Sequence, residues 1–226
     1  MTGASVLRTL GPLGRKLEEY GFTLVAPNAP HRMAGAEVDD LMHWLRPLYQ
    51  KVGQNADDTY TAEVFWDAGE HYDWFQSNTD KASGKKTYRA LEKSLDRLAA
   101  VIRDRPVAGM IGFSQGAAMA MVLAGLVARG DPRFSSIRFG LFLSGFKPVF
   151  QEPSLNLYPA GKLARAIVVG ERDPIFPDGA SCLASQAQAF EGGEEELVLV
   201  PGIGHAVPST PELVERLARF ARRAAG

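Results

Sequence analysis

Gly112-Phe113-Ser114-Gln115-Gly116 constrains this chain more than any other stretch. Gly-x-Ser-x-Gly, between an apolar strand and a helix, is a nucleophile elbow, with the serine at the tip of a sharp, strained turn and its Oγ exposed. The flanks fit. Val107, Met110 and Ile111 precede the motif as a buried strand would. Ala117, Ala118, Met119, Ala120, Met121, Val122 and Leu123 follow it, rich in good helix formers. Strand and helix pass close on both sides of the serine, so side chains at 112 and 116 are expected to collide and glycine is wanted at both. The new helix aims its first N–H groups, that of Gln115 foremost, at a developing oxyanion. Ser114 is therefore the candidate nucleophile. A plain Gly/Ser turn predicts the same local fold, so the partners of the serine must decide.

The rest of the chain alternates. Val6, Leu10, Leu13 and Leu17 predict a helix over 5–20, with Pro12 as an interior irregularity and Gly21 at its end. Residues 22–26 read as a strand. Leu41, Trp44, Leu45 and Leu48 predict a short helix broken near Pro47. Residues 37–86 are the least regular part and hold all three tryptophans, Trp44, Trp66 and Trp74. They read equally as a satellite core or as an aromatic wall over an apolar substrate pocket. Residues 78–86 read as a polar loop with solubilising lysines. A helix over 87–104 follows, carried by Tyr88, Leu91, Leu95, Leu98 and Ile102. Beyond the elbow come strands at 137–143, 166–169 and 197–200, a helix at 179–191, and a last helix opened by Ser209-Thr210-Pro211-Glu212. This is an α/β chain: a mainly parallel sheet with helices on both faces. At 226 residues, one domain over 1–226 is expected, with an aromatic-rich insertion at about 37–86.

A nucleophilic serine needs a base, and the base an orienting acid. Asp173 and His205 each lie just past the carboxyl end of a predicted strand, where parallel sheets gather their ligand sites. Glu171 competes for the acid's place. The Arg-Asp-Pro turn favours Asp173. His31, His43 and His71 precede the serine, and His31 is placed to line the site without acting as base. No cluster has metal-ligand spacing and no phosphate loop occurs, so neither metal nor organic cofactor is expected. A net charge of −1 without a basic stripe argues against nucleic acid. No stretch has the length of a membrane span and no signal peptide is read at the start. Cys182, the only cysteine, allows no intrachain disulfide and reads as a small buried thiol. A cytoplasmic protein acting on a small molecule is expected, of undetermined oligomeric state.

These segments together resemble the FSH-type serine hydrolases of the α/β-hydrolase superfamily. The resemblance rests on Ala26-Pro27-Asn28-Ala29-Pro30-His31, on Gly109 to Ala118, on Ser144-Gly145-Phe146 with Pro148, on Gly170-Glu171-Arg172-Asp173, and on Gly204-His205-Ala206-Val207-Pro208. It implies hydrolysis of carboxylic esters or thioesters with apolar chains, without a cofactor. Ser114 would attack, His205 would carry the proton, Asp173 would orient His205, and the Gln115 N–H would bind the oxyanion. His31, Trp66, Trp74, Phe146 and Phe176 are the candidate pocket. Acyl-protein thioesterases share the elbow and give one alternative; a non-catalytic binding module gives another. The family begins with an apolar strand ending in His-Gly, and here Met1 falls after it. The sheet is therefore expected to lack its first strand, between 22–26 and 107–111, along with one oxyanion donor. Roughly 10–20 further residues are expected upstream; otherwise Thr2-Gly3-Ala4 would supply the second N–H.

Overall fold

The computed structural model describes residues 1–53, 70–80, 86–176 and 178–226. Trp66 lies outside them, as do Tyr60 and Phe65. The chain runs α1 (Gly3–Glu19), β1 (His31–Arg32), α2 (Gly35–Lys51), β2 (Tyr72–Asp73), β3 (Gln76–Thr79), β4 (Lys86–Arg89), α3 (Glu92–Asp104), β5 (Gly109–Phe113), α4 (Gln115–Ala128), β6 (Phe139–Leu143), β7 (Ala164–Gly170), α5 (Gly179–Ala187), β8 (Glu195–Val200) and α6 (Pro211–Ala225). A four-stranded parallel sheet in the order β5-β6-β7-β8 forms the centre. Two short antiparallel pairs, β1 with β2 and β3 with β4, stand apart from it.

Period-two alternation divides the core. Phe139, Leu141, Leu143, Ala166 and Val168 turn to one face, where α1 brings Leu10, Leu13 and Leu17 and α6 brings Leu213, Leu217 and Phe220. Phe142 and Ile167 turn to the other, against Leu95 of α3 and Met119, Val122 and Leu123 of α4. Each such side chain contributes about 1.5–3 kcal/mol on burial. Helix α4 is buried without interruption from Ala117 to Gly125, so its sequence is apolar all round.

The two edges of this sheet differ. Strand β8 alternates exposed and half-buried residues and carries Glu195 and Glu196, as a protected edge does. Strand β5 reads Gly-Met-Ile-Gly-Phe, uncharged, and among the described residues no strand pairs with its outer side. The strand expected at 22–26 is not formed. That run lines one cleft together with residues 106–113 but enters no ladder. A strand needs a partner for its N–H and C=O groups, and no described strand pairs with this run.

Other boundaries move for local reasons. Helix α2 passes through Pro47 unbroken because Met42, Leu45 and Tyr49 are all buried and hold both sides of it. In α1 the irregularity is Gly11, at φ 46° and ψ −118°, while Pro12 sits just after it, where a missing N–H costs little. Tyr88 lies in β4, opposite Ser77, so the helix expected from 87 starts at Glu92. Lys86 opens β4 instead of sitting in a solvated loop, and its ammonium lies over the Trp44 and Tyr88 rings. Helix α5 ends at Ala187, short of 191.

Candidate active site

The elbow is built by backbone strain and close approach. Ser114 sits at φ 53° and ψ −121°, outside the regions a β-carbon prefers, at a cost on the order of 1–3 kcal/mol. Its N–H donates to the Leu143 carbonyl (3.0 Å), and its own carbonyl accepts from Ala117 and Ala118 (3.0 and 3.2 Å). A Cβ at Gly112 would lie 2.3 Å from the Gly116 carbonyl oxygen and 2.4 Å from the Ala117 nitrogen. A Cβ at Gly116 would meet only Trp74 Nε1, at 3.8 Å, an ordinary contact. The expected collision thus holds at 112, whose Cβ would run into the first turn of α4, and not at 116, whose Cβ would face Trp74.

Ser114 opens onto a cleft of about 1320 Å³ whose lining includes His31, Trp74, Phe113, Phe146 and Phe176. His31 is already engaged: its Nε2 lies 2.7 Å from the Ala90 carbonyl oxygen and donates to it. Phe146 and Phe176 stack at 6.1 Å. The Gly3 N–H donates to Asn28 Oδ1 (2.6 Å), so this amide is spoken for and is not a second oxyanion donor. His71 is buried beside the Met1 amino group, 3.4 Å from Nδ1; burial, and then that positive charge, push the imidazole down to about 3.

Asp173 and His205 meet at the sheet's carboxyl end, past β7 and β8. Strand β7 stops at Gly170, and the Asp173 N–H returns to the Gly170 carbonyl at 3.2 Å. Asp173 Oδ1 accepts from the Ile175 and Phe176 N–H groups (2.9 and 3.4 Å). Its Oδ2 lies 2.7 Å from His205 Nδ1, and both side chains are fully buried. A carboxylate only accepts, so Nδ1 is the donor and a neutral ring keeps Nε2 as a bare acceptor. Nε2 is buried with no hydrogen-bond partner, and Ser114 does not reach it. The rings of Phe113 (4.9 Å) and Phe176 (6.0 Å) flank the imidazole.

Glu171 does something else: its Oε2 accepts the Gly202 N–H at 2.9 Å from an exposed position. The two loops touch by backbone. The Arg172 N–H donates to Ile203 (2.8 Å), and a Cβ at Gly170 would lie 2.2 Å from the Gly204 carbonyl oxygen. Ser144 went unassigned in the sequence. At φ 45° it donates its N–H to Val168 (2.7 Å) and its Oγ to the Ala206 carbonyl (3.4 Å), pinning the histidine loop to the sheet. Among the described residues no group of three metal-binding side chains occurs, and no helix is long and apolar enough to cross a membrane.

A sequence model described as serine hydrolase (FSH1) matches residues 2–217. The chain belongs to the FSH1 serine hydrolase family. Among curated relatives of this FSH1 chain, the Homo sapiens protein named esterase OVCA2 is 39% identical over 125 residues, 54% of this chain and 52% of the human one. The Xenopus tropicalis esterase OVCA2 is 30% identical over 141 residues, 60% of this chain and 59% of that protein. The chain therefore spans only a little over half the length of these two relatives. Among solved structures, Zea mays acyl-protein thioesterase 2 superposes with a TM-score of 0.55 at 16% identity, covering 100% of this chain and 90% of that one. The FSH1 chain thus has the α/β-hydrolase fold.

Proposed function

We propose that this protein hydrolyses carboxylic esters or thioesters with apolar acyl chains, through Ser114, His205 and Asp173. The observation that carries the reading is the 2.7 Å contact of Asp173 Oδ2 with His205 Nδ1, which leaves an unpartnered Nε2 beside the elbow. Ser114 Oγ bonds to the acyl carbon while its proton passes to Nε2. The carbonyl oxygen becomes an oxyanion at the N-terminus of α4, where the Gln115 N–H is worth on the order of 3 kcal/mol. The tetrahedral adduct then breaks its bond to the alkoxide or thiolate, which leaves with the proton from Nε2. Water repeats the sequence on the acyl-enzyme and frees the acid and Ser114. Nε2 and Oγ are expected to draw together only when substrate is bound.

The cleft supports an apolar acyl group. Trp74, Phe146 and Phe176 line it, and each buried methylene is worth about 0.8 kcal/mol. A single cysteine fits action in a reducing compartment. A series of acetyl to octanoyl esters and thioesters, run with wild type and Ser114→Ala, tests the reading. Turnover should rise with chain length and vanish in the variant. Equal turnover by both proteins would refute it.

A further inference from the structure

The side chain of Gln115 has a job separate from its backbone. Its Oε1 accepts the Trp74 N–H at 2.7 Å, and its Nε2 donates to the Phe75 carbonyl at 3.1 Å. A backbone N–H can meet only the amide oxygen and a carbonyl only the amide nitrogen, so the orientation of the group is determined. One amide thus holds two consecutive residues, Trp74 and Phe75, some forty positions away in the chain.

Those residues start an arc of rings. Phe75, fully buried, stacks on Tyr88 (4.8 Å), Phe150 (5.4 Å) and Phe146 (6.5 Å). Phe146 continues to Phe176, and Phe176 to His205. Phe113, next to Ser114, closes the arc on the other side of the imidazole. Trp74 lies over Gly116, in the cleft. A second tether, from Ser94 Oγ to the Trp74 carbonyl, holds the same strap from α3. The strap links β2 to β3, whose pairings hold its ends but lie away from the elbow. Bonding it to the residue after the nucleophile sets its distance from Ser114.

We propose that the Gln115 side chain is a positioning residue that locks the Trp74–Phe75 strap to the elbow and so sets the acyl-chain length the site accepts. This rests on the hydrolase reading for its substrate class and on geometry alone for the lock. Loss of the lock frees the Trp74 wall of the pocket to move, which a long chain that packs along it feels more than an acetyl group does.

The test pairs two readouts on Gln115→Leu, Gln115→Glu and Ser94→Ala. Hydrogen exchange of the Trp74 amide, read by mass spectrometry on the 72–76 segment, needs no substrate. It should speed up at least tenfold in Gln115→Leu and less in Gln115→Glu, which keeps the acceptor oxygen. The ratio of kcat/KM for p-nitrophenyl octanoate over acetate should fall about tenfold in Gln115→Leu, mainly through KM, and about threefold in Ser94→Ala with acetate turnover retained. A partial return of the ratio in Gln115→Glu supports the lock. Unchanged exchange in a folded Gln115→Leu, or an equal loss on both esters, would overturn it. A wild type that turns over no ester would overturn the hydrolase reading, while exchange would still decide the lock.

Discussion

Asp173 and His205 are fully buried and hold each other at 2.7 Å, whereas Ser114 stands half-buried at the mouth of a wide cleft and bonds to neither. Asp173 and His205 come from loops whose backbones touch, Gly170 against Gly204 and Arg172 against Ile203, and the Ser144 hydroxyl holds Ala206 from the sheet, so the geometry of the pair is over-determined. Ser114 is held by its own strained turn, and the wall beside it is a strap tied to Gln115 through that residue's side chain. The difference separates two tasks. Proton handling requires one fixed contact in a dry place. Substrate selection requires an open wall whose position is set by a few hydrogen bonds. Changes on the first side should therefore cost rate or folding outright, and changes on the second should alter choice of substrate or cost little.

The largest contrast is between the two carboxylates of one loop. Asp173→Asn should lower kcat on the order of 10⁴-fold, because the amide presents a donor to Nδ1 and enforces the wrong tautomer. Glu171→Gln, which touches only the Gly202 N–H, should stay within about threefold of wild type. Steady-state kinetics on one ester decides this, and a more damaging Glu171→Gln would reverse the assignment.

Two glycines sharpen the same comparison. Gly170→Ala forces a Cβ into the Gly204 carbonyl and should lower Tm by roughly 3–10 °C. Gly116→Ala meets only the edge of Trp74, so its Tm should stay within about 2 °C of wild type. Equal melting shifts would remove the distinction between a packed and an open side.

The smallest effect is expected at Asp73, the aspartate of the open side. Burial pushes its carboxyl up to about 6, with the Glu37 charge adding to this, while the Met1 amino group, Gln115 and Lys86 work the other way. An acid whose folded value exceeds its unfolded 3.8 destabilises the fold wherever it is ionised. The cost is full above about pH 6 and fades as pH falls toward 3.8. Asp73→Asn should thus gain roughly 1 kcal/mol at pH 7.5, reduced by residual solvent contact, and nothing at pH 4. Denaturant titrations at both pH values measure it; a gain that persists at pH 4 would place the effect elsewhere.

Sequence spacing made the elbow legible because only one backbone conformation puts a serine between such a strand and helix. His205 was legible from its glycines and its place after a strand. The Arg-Asp-Pro turn favoured Asp173 over Glu171, but the 2.7 Å contact with His205 and the turning of Glu171 to the Gly202 N–H lie between distant loops that spacing cannot place. The run 22–26 had the composition of a strand, but pairing depends on a neighbour that composition does not reveal. Pro47 reads locally as a break, and burial of Leu45 and Tyr49 overrides it. The Gln115 amide left no trace in the sequence: its bonds reach a segment forty residues away with no periodic pattern.

Treatment of the folded protein with a fluorophosphonate, followed by peptide mass spectrometry, tests the central claim most directly. The account predicts one adduct per chain, on Ser114, formed in wild type and lost in His205→Ala even though the serine remains. A folded wild-type protein left unlabelled, or an adduct on any other residue, would contradict it.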